Sequence, residues 1–185
     1  MKKTIRHSLV LAVPMLLVAV MFIAPAHAAS SVVHDPRGDS TSSAPYLDVV
    51  HARIIEQRGK GTLLFMMQLA GPIPEAPAEG HLIWPFHVDT NPATAPGGLY
   101  NEYIVLVRWV NGAFVGQVVN RTTTPPTVTL VPFSIDGAKV KVFVDLDTLD
   151  NPTSFGWNAS TRPGPTAPYA DFAPDGGVAL AAWAQ

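Results

Sequence analysis

Asn101-Glu102-Tyr103-Ile104-Val105-Leu106-Val107-Arg108-Trp109-Val110 is the stretch whose reading decides the fold. Its residue types are those of a β-strand in the interior of a sheet. Tyr103, Val105, Val107 and Trp109 would share one face, which is wholly apolar. Glu102, Ile104, Leu106, Arg108 and Val110 would share the other, apolar in its middle. Such a strand needs a second layer against it. Nothing elsewhere in the chain has a convincing helical period over ten residues, so that layer is expected to be another sheet.

The sequence around it repeats the same signals. Asp48 to Gln57 and Thr62 to Ala70 flank Arg58-Gly59-Lys60-Gly61, a hairpin turn, and Leu63, Phe65, Met67 and Leu69 line one face of the second strand. His81 to Thr90 is a third strand, in which Pro85 predicts a bulge or an edge position. Asn111-Gly112 returns the organising strand to Phe114–Val119. Thr127 to Phe133 reads as one further strand. Asp136-Gly137 is another hairpin turn, followed by Val140, Val142, Val144 and Leu146 facing inward. Ser154 to Ser160 and a weak strand within Val178–Trp183 complete the pattern. A short strand at Val32-Val33 precedes all of these. Eight or nine strands joined by short turns predict an all-β, two-sheet antiparallel β-sandwich with a jelly-roll-like course. Eighteen prolines and fourteen glycines fit that fold and not a helical one.

The chain of 185 residues begins with Lys2, Lys3 and Arg6, an apolar run from Leu9 to Ile23, and Ala26-His27-Ala28. This reads as a secretory signal peptide over residues 1–28, cleaved after Ala28, with one domain over 29–185. The run is short for a span of about 20 residues, so no membrane insertion is expected after cleavage. The expected address is secreted, or periplasmic or cell envelope. Cleavage leaves nine Lys and Arg against fourteen Asp and Glu, a net charge near −5. That balance disfavours nucleic acid as a partner. Cysteine is absent, so the exported domain must rely on packing, or on a bound ion.

Catalytic chemistry finds little footing. There is no cysteine nucleophile and no G-x-S-x-G elbow, and no histidine pair has H-x-x-x-H spacing. An enzyme is not expected. Carboxylates are the richer resource. Asp35 and Asp39 sit in a Gly/Pro turn, where they could form Asx turns or share a hard cation. Asp145, Asp147 and Asp150 form D-x-D-x-x-D before Asn151. Asp171 and Asp175 bracket a third acidic turn. Each group could donate several of the six to eight oxygens calcium takes, or simply cap a turn. Four indoles offer the other kind of site. Trp84 and Trp157 could stack on the apolar face of a sugar ring, with Asp89 and Asn101 bonding its hydroxyls, or all could be core residues.

Asp35-Pro36-Arg37-Gly38-Asp39, Tyr46-Leu47-Asp48-Val49-Val50, Leu64-Phe65 through Leu69-Ala70-Gly71-Pro72, Val88-Asp89-Thr90-Asn91, Phe155-Gly156-Trp157-Asn158-Ala159-Ser160 and Asp171-Phe172-Ala173-Pro174-Asp175 together resemble the exported β-sandwich domains of carbohydrate-binding module family nine and the DOMON superfamily. The resemblance runs from about Val32 to Trp183. It implies a non-catalytic sandwich that binds carbohydrate between two tryptophans and carries structural calcium. It also implies haem as an alternative ligand, for which Met66, Met67 and His87 are available. A structural or protein-interaction domain of the envelope, with an extracytoplasmic protein as partner, is the competing expectation. That reading requires the tryptophans to be buried.

Overall fold

The computed structural model describes residues 29–57, 59–77, 81–93, 101–176 and 180–185. The expected signal peptide and most of the turn from Asn91 to Gly98 lie outside the described residues. Twelve strands are present among those described: β1 (Ser30–His34), β2 (Val49–Gln57), β3 (Thr62–Leu69), β4 (His81–Asp89), β5 (Tyr103–Val110), β6 (Ala113–Asn120), β7 (Thr127–Leu130), β8 (Phe133–Asp136), β9 (Lys139–Asp145), β10 (Ser154–Thr161), β11 (Asp171–Ala173) and β12 (Ala181–Ala184). Two 3-10 turns, Pro45–Leu47 and Leu146–Leu149, are the helical elements among the described residues. No helix among them is long and apolar enough to cross a membrane.

The strands form two antiparallel sheets. One runs β1-β2-β3-β9-β8. The other runs β11-β10-β4-β5-β6-β7, with β12 in line with β11 along the same edge of β10. This is the two-layer sandwich the sequence predicts, with more strands than expected, among them β11 and the separate β7 and β8.

The organising strand β5 lies between β4 and β6. Its apolar face is the core face: Tyr103, Val105 and Val107 are buried and Trp109 is partly so. From the opposite sheet they meet a layer of Ala52, Ile54, Leu63, Phe65, Met67, Val140, Val142 and Val144, all without exposed surface. Phe65 of β3 and Phe86 of β4 meet edge-on across the interface, ring centroids 5.4 Å apart. Alternation at period two is thus what selects the buried set in each strand.

Three expectations are corrected. First, Thr127 to Phe133 is not one strand. The chain leaves β6 at Val131, whose N–H donates to Gly116 O, and joins β9 at Pro132, whose carbonyl accepts from Phe143 N–H. Pro132 stands at the crossing between sheets, where a missing N–H costs no ladder bond. Second, Pro85 is neither at an edge nor at a bulge. It lies in β4, an interior strand, paired with Leu106 of β5 on one side. On the other side the β10 ladder stops at Phe86 and resumes, in the same register, as the Ile83–Arg162 bridge. The proline is one of the two residues, Trp84 and Pro85, in that gap. Third, the acidic segment from Asp171 opens as strand β11, and among its described residues Asp175 and Gly176 are in a turn.

Candidate metal centre

The turn after β1 and the start of β11 meet at one rim of the sandwich. β1 ends at His34, and Asp35 N–H still donates to Val50 O on the neighbouring strand. The chain then turns through Pro36-Arg37-Gly38. Gly38 takes φ +87°, a left-handed conformation that a side chain would strain. After Asp39, the hydroxyls of Ser40 and Thr41 and the amide of Thr41 all donate to Ala170 O. This fastens the N-terminal turn beside β11, which begins at Asp171 and leads to Asp175.

Four carboxylates converge there. Asp35, Asp39, Asp171 and Asp175 each offer an oxygen, and these oxygens all lie within 4.8 Å of one another. No other group of three or more such ligands occurs among the described residues. Asp48 stands beneath them as a fifth acid. It is only 6% exposed; Gly38 N–H donates to its Oδ2 at 2.8 Å, while its Oδ1 is buried without a hydrogen-bond partner. Both side-chain oxygens of Asp35 are likewise buried and unpartnered. Asp171 is better held: Val49 N–H donates to Oδ2 at 2.6 Å and Phe172 N–H to Oδ1 at 2.8 Å.

The electrostatics follow from that packing. Burial first, and then the charges of Asp171, Asp175, Asp39 and Asp48, push Asp35 up to about 7. Asp171 is pushed up to about 6, by burial and by Asp39 and Asp48, against the pull of its two backbone donors. Asp175 is raised too, through desolvation and its hydrogen bond with Asp39. Gathered without a counter-charge, Asp35, Asp171 and Asp175 favour their protonated forms. A hard divalent cation held by Asp35, Asp39, Asp171 and Asp175 would supply the missing positive charge.

The other expected site residues go elsewhere. Asp145, Asp147 and Asp150 are not gathered, because the 3-10 turn at Leu146–Leu149 points them apart. Asp145 accepts from Thr62 Oγ1, Asp147 from Thr148 Oγ1, and Asp150 from the Tyr103 hydroxyl. Their oxygens are taken up by separate hydroxyl donors, two of them from other strands. Trp84 and Trp157 have no exposed surface and present no ring face to a sugar. Their indole N–H groups are staples: Trp84 donates to Tyr46 O and Trp157 to Ser31 Oγ, each at 2.9 Å. Asp89 and Asn101 are buried as well. Asp89 Oδ1 accepts from Asn91 N–H, and burial followed by Glu102 raises its pKa. The cleft beside Asp89, lined also by Phe155 and Trp183, holds about 240 Å³. That is below the roughly 300 Å³ at which small-molecule sites begin.

Nor are the haem candidates brought together. His87 faces outward from β4 in one sheet, while Met66 faces outward from β3 in the other, and Met67 is in the core between them. His87 pairs instead with Ser160, Nε2 to Oγ 2.9 Å, beneath the edge of the Tyr169 ring. Sequence gave no sign of this pair, because β4 and β10 are adjacent only in the fold. Ser160 has no exposed surface, so the pair is a buried hydrogen bond and not an accessible nucleophile. The remaining missed residue is Asp48, which the sequence shows only as the polar start of a strand. Comparison of the chain with protein-family models, with curated proteins and with solved structures found no match in any of the three.

Proposed function

We propose that this chain is an exported, non-catalytic β-sandwich module built around one calcium site, formed by Asp35, Asp39, Asp171 and Asp175 with Asp48 beneath. The observation that carries the reading is the set of unpartnered carboxylate oxygens. Asp35 brings two and Asp48 one, all buried, at a point where three further acids converge. Buried acceptors without donors are costly unless something positive meets them. Calcium suits the site better than a softer metal because every ligand is an oxygen and no histidine or cysteine is in the group. The ion would tie the turn after β1 to β11 and so close that rim of the sandwich.

The reading agrees with the family-nine resemblance on calcium. It departs from that resemblance on sugar binding between tryptophans, since Trp84 and Trp157 are spent on the core. Calorimetric titration of chelator-treated protein tests it. One calcium per chain is expected, with magnesium much weaker. Asp35→Asn and Asp171→Asn should each weaken binding by at least about tenfold, whereas Asp147→Asn should leave it unchanged. Equal binding by Asp35→Asn and the wild type would overturn the assignment.

A further inference from the structure

Among the described residues, β7 is the last strand on its side of the seven-stranded sheet, with no strand beyond it. Every residue from Arg121 to Leu130 is exposed. Val128 and Leu130, at 54% and 72%, stand out among the large apolar side chains. The ladder with β6 decides which backbone groups are spare. Val131 N–H donates to Gly116 O at 3.1 Å, one step beyond the Gln117–Leu130 pair. Antiparallel bonding alternates along a strand. Thr127, Thr129 and Val131 therefore turn their N–H and C=O groups toward β6, and Val128 and Leu130 turn theirs to the open side. Charged side chains commonly guard such an edge. Here no ionisable side chain occurs from Thr122 to Ile135.

We propose that two copies of this chain join through β7, antiparallel about a twofold axis at Thr129, so that their seven-stranded sheets become continuous. The occupant follows from the sequence of the edge itself. Pro126-Thr127-Val128-Thr129-Leu130-Val131-Pro132 reads alike in both directions from Thr129. Antiparallel self-pairing centred there sets Val128 against Leu130 of the second copy, Thr127 against Val131, and proline against proline. Val128 and Leu130 carry the outward backbone groups, so each donates to the other's carbonyl across the axis. Their side chains meet as a cross-strand apolar pair on the outer face of the sheet. Sliding by two residues either way places a proline, which has no N–H, opposite Val128 or Leu130. Sliding by one sets outer-face against core-side residues. One register therefore satisfies the edge. Charge points the same way: residues 29–185 carry fourteen acids against nine Lys and Arg, and an uncharged strip lets two such copies approach. The pairing uses each edge once, so it closes at two copies. It rests on one short strand, which makes a weak, concentration-dependent dimer. β7 and the metal-site strand β11 are opposite edges of the sheet, so the inference is independent of the calcium reading.

Sedimentation of the purified protein over a concentration series tests it, in calcium and in chelator alike. A monomer–dimer equilibrium is expected, with a dissociation constant of about 1–100 µM. Thr129 faces its own copy across the axis, so Thr129→Lys and Thr129→Glu should each weaken self-association by at least about tenfold. An equimolar mixture of the two should restore it, because opposite charges then meet. Thr129 is exposed, and circular dichroism of both variants should match the wild type. Cysteine placement gives a second readout in a chain that has none of its own. Thr129→Cys should form a disulfide dimer on mild oxidation, since the two α-carbons lie about 4.5 Å apart in a non-hydrogen-bonded pair. Thr127→Cys should not, because its copy lies about 14 Å away. A wild type that stays monomeric up to about 1 mM would overturn the proposal. So would dimers of both charged variants as tight as the wild type's, or equal cross-linking at positions 127 and 129.

Discussion

Asp48 and Trp157 show how far a single residue can be read before its neighbours are known. Both were visible in sequence, one as a polar strand start and one as an indole on a strand, and both are buried. Trp157 joins the seven-stranded sheet to β1 through Ser31. Trp157→Phe keeps most of the apolar contact but loses that bond and leaves a small void, so urea melts should show a loss of about 1–3 kcal/mol. His87 sets an acid limit. Burial, then Arg121 and Arg162, lower its pKa to about 4. The folded state therefore resists a proton that the unfolded chain takes up near 6.5. Its contribution is intact above that value and is lost as pH falls through the window toward 4, by at most about 3 kcal/mol. His87→Gln should flatten the fall in stability between those two pH values. A slope as steep as the wild type's would show that another group is responsible. The acid pairs Asp35/Asp39 and Asp171/Asp175 were each legible as local turns. That they form one group was not, because nothing local links positions so far apart in the chain.

Strands were the most legible elements wherever one face alternates cleanly, as in β3, β5 and β9, since period-two burial is a local property. Elements failed where tertiary position outweighs pattern. β7 and β8 share a continuous run of strand-forming residues, and the switch between sheets is marked only by Pro132. Gly116 makes that switch sterically feasible. A Cβ there would lie 2.7 Å from Val131 O and 2.8 Å from the Phe133 ring, so the crossing strand can approach only a glycine. Gly116→Ala should cost about 1–3 kcal/mol, read as a lower melting temperature, with the β-rich circular dichroism retained. An unchanged melting temperature would mean that the crossing segment gives way freely.

For the whole molecule, the sandwich rests on packing, and the rim gathers a charge conflict that the proposed cation would resolve. Asp35 and the Asn of Asp35→Asn should therefore rank oppositely in chelator and in calcium. In chelator, the raised Asp35 pKa means that its proton-linked stability is present in acid and is lost as pH rises through about 7. The variant should gain on the wild type across that range. With calcium at ten times its dissociation constant, the wild type should gain about 1.4 kcal/mol, or roughly 3–6 °C in melting temperature, most at pH 8 and little at pH 5. The most direct test is an anomalous difference map from crystals grown with calcium. One peak is predicted, within about 2.6 Å of carboxylate oxygens of Asp35 and Asp171. A map with no peak there, or with its peak at Asp145, Asp147 and Asp150 instead, would contradict the account.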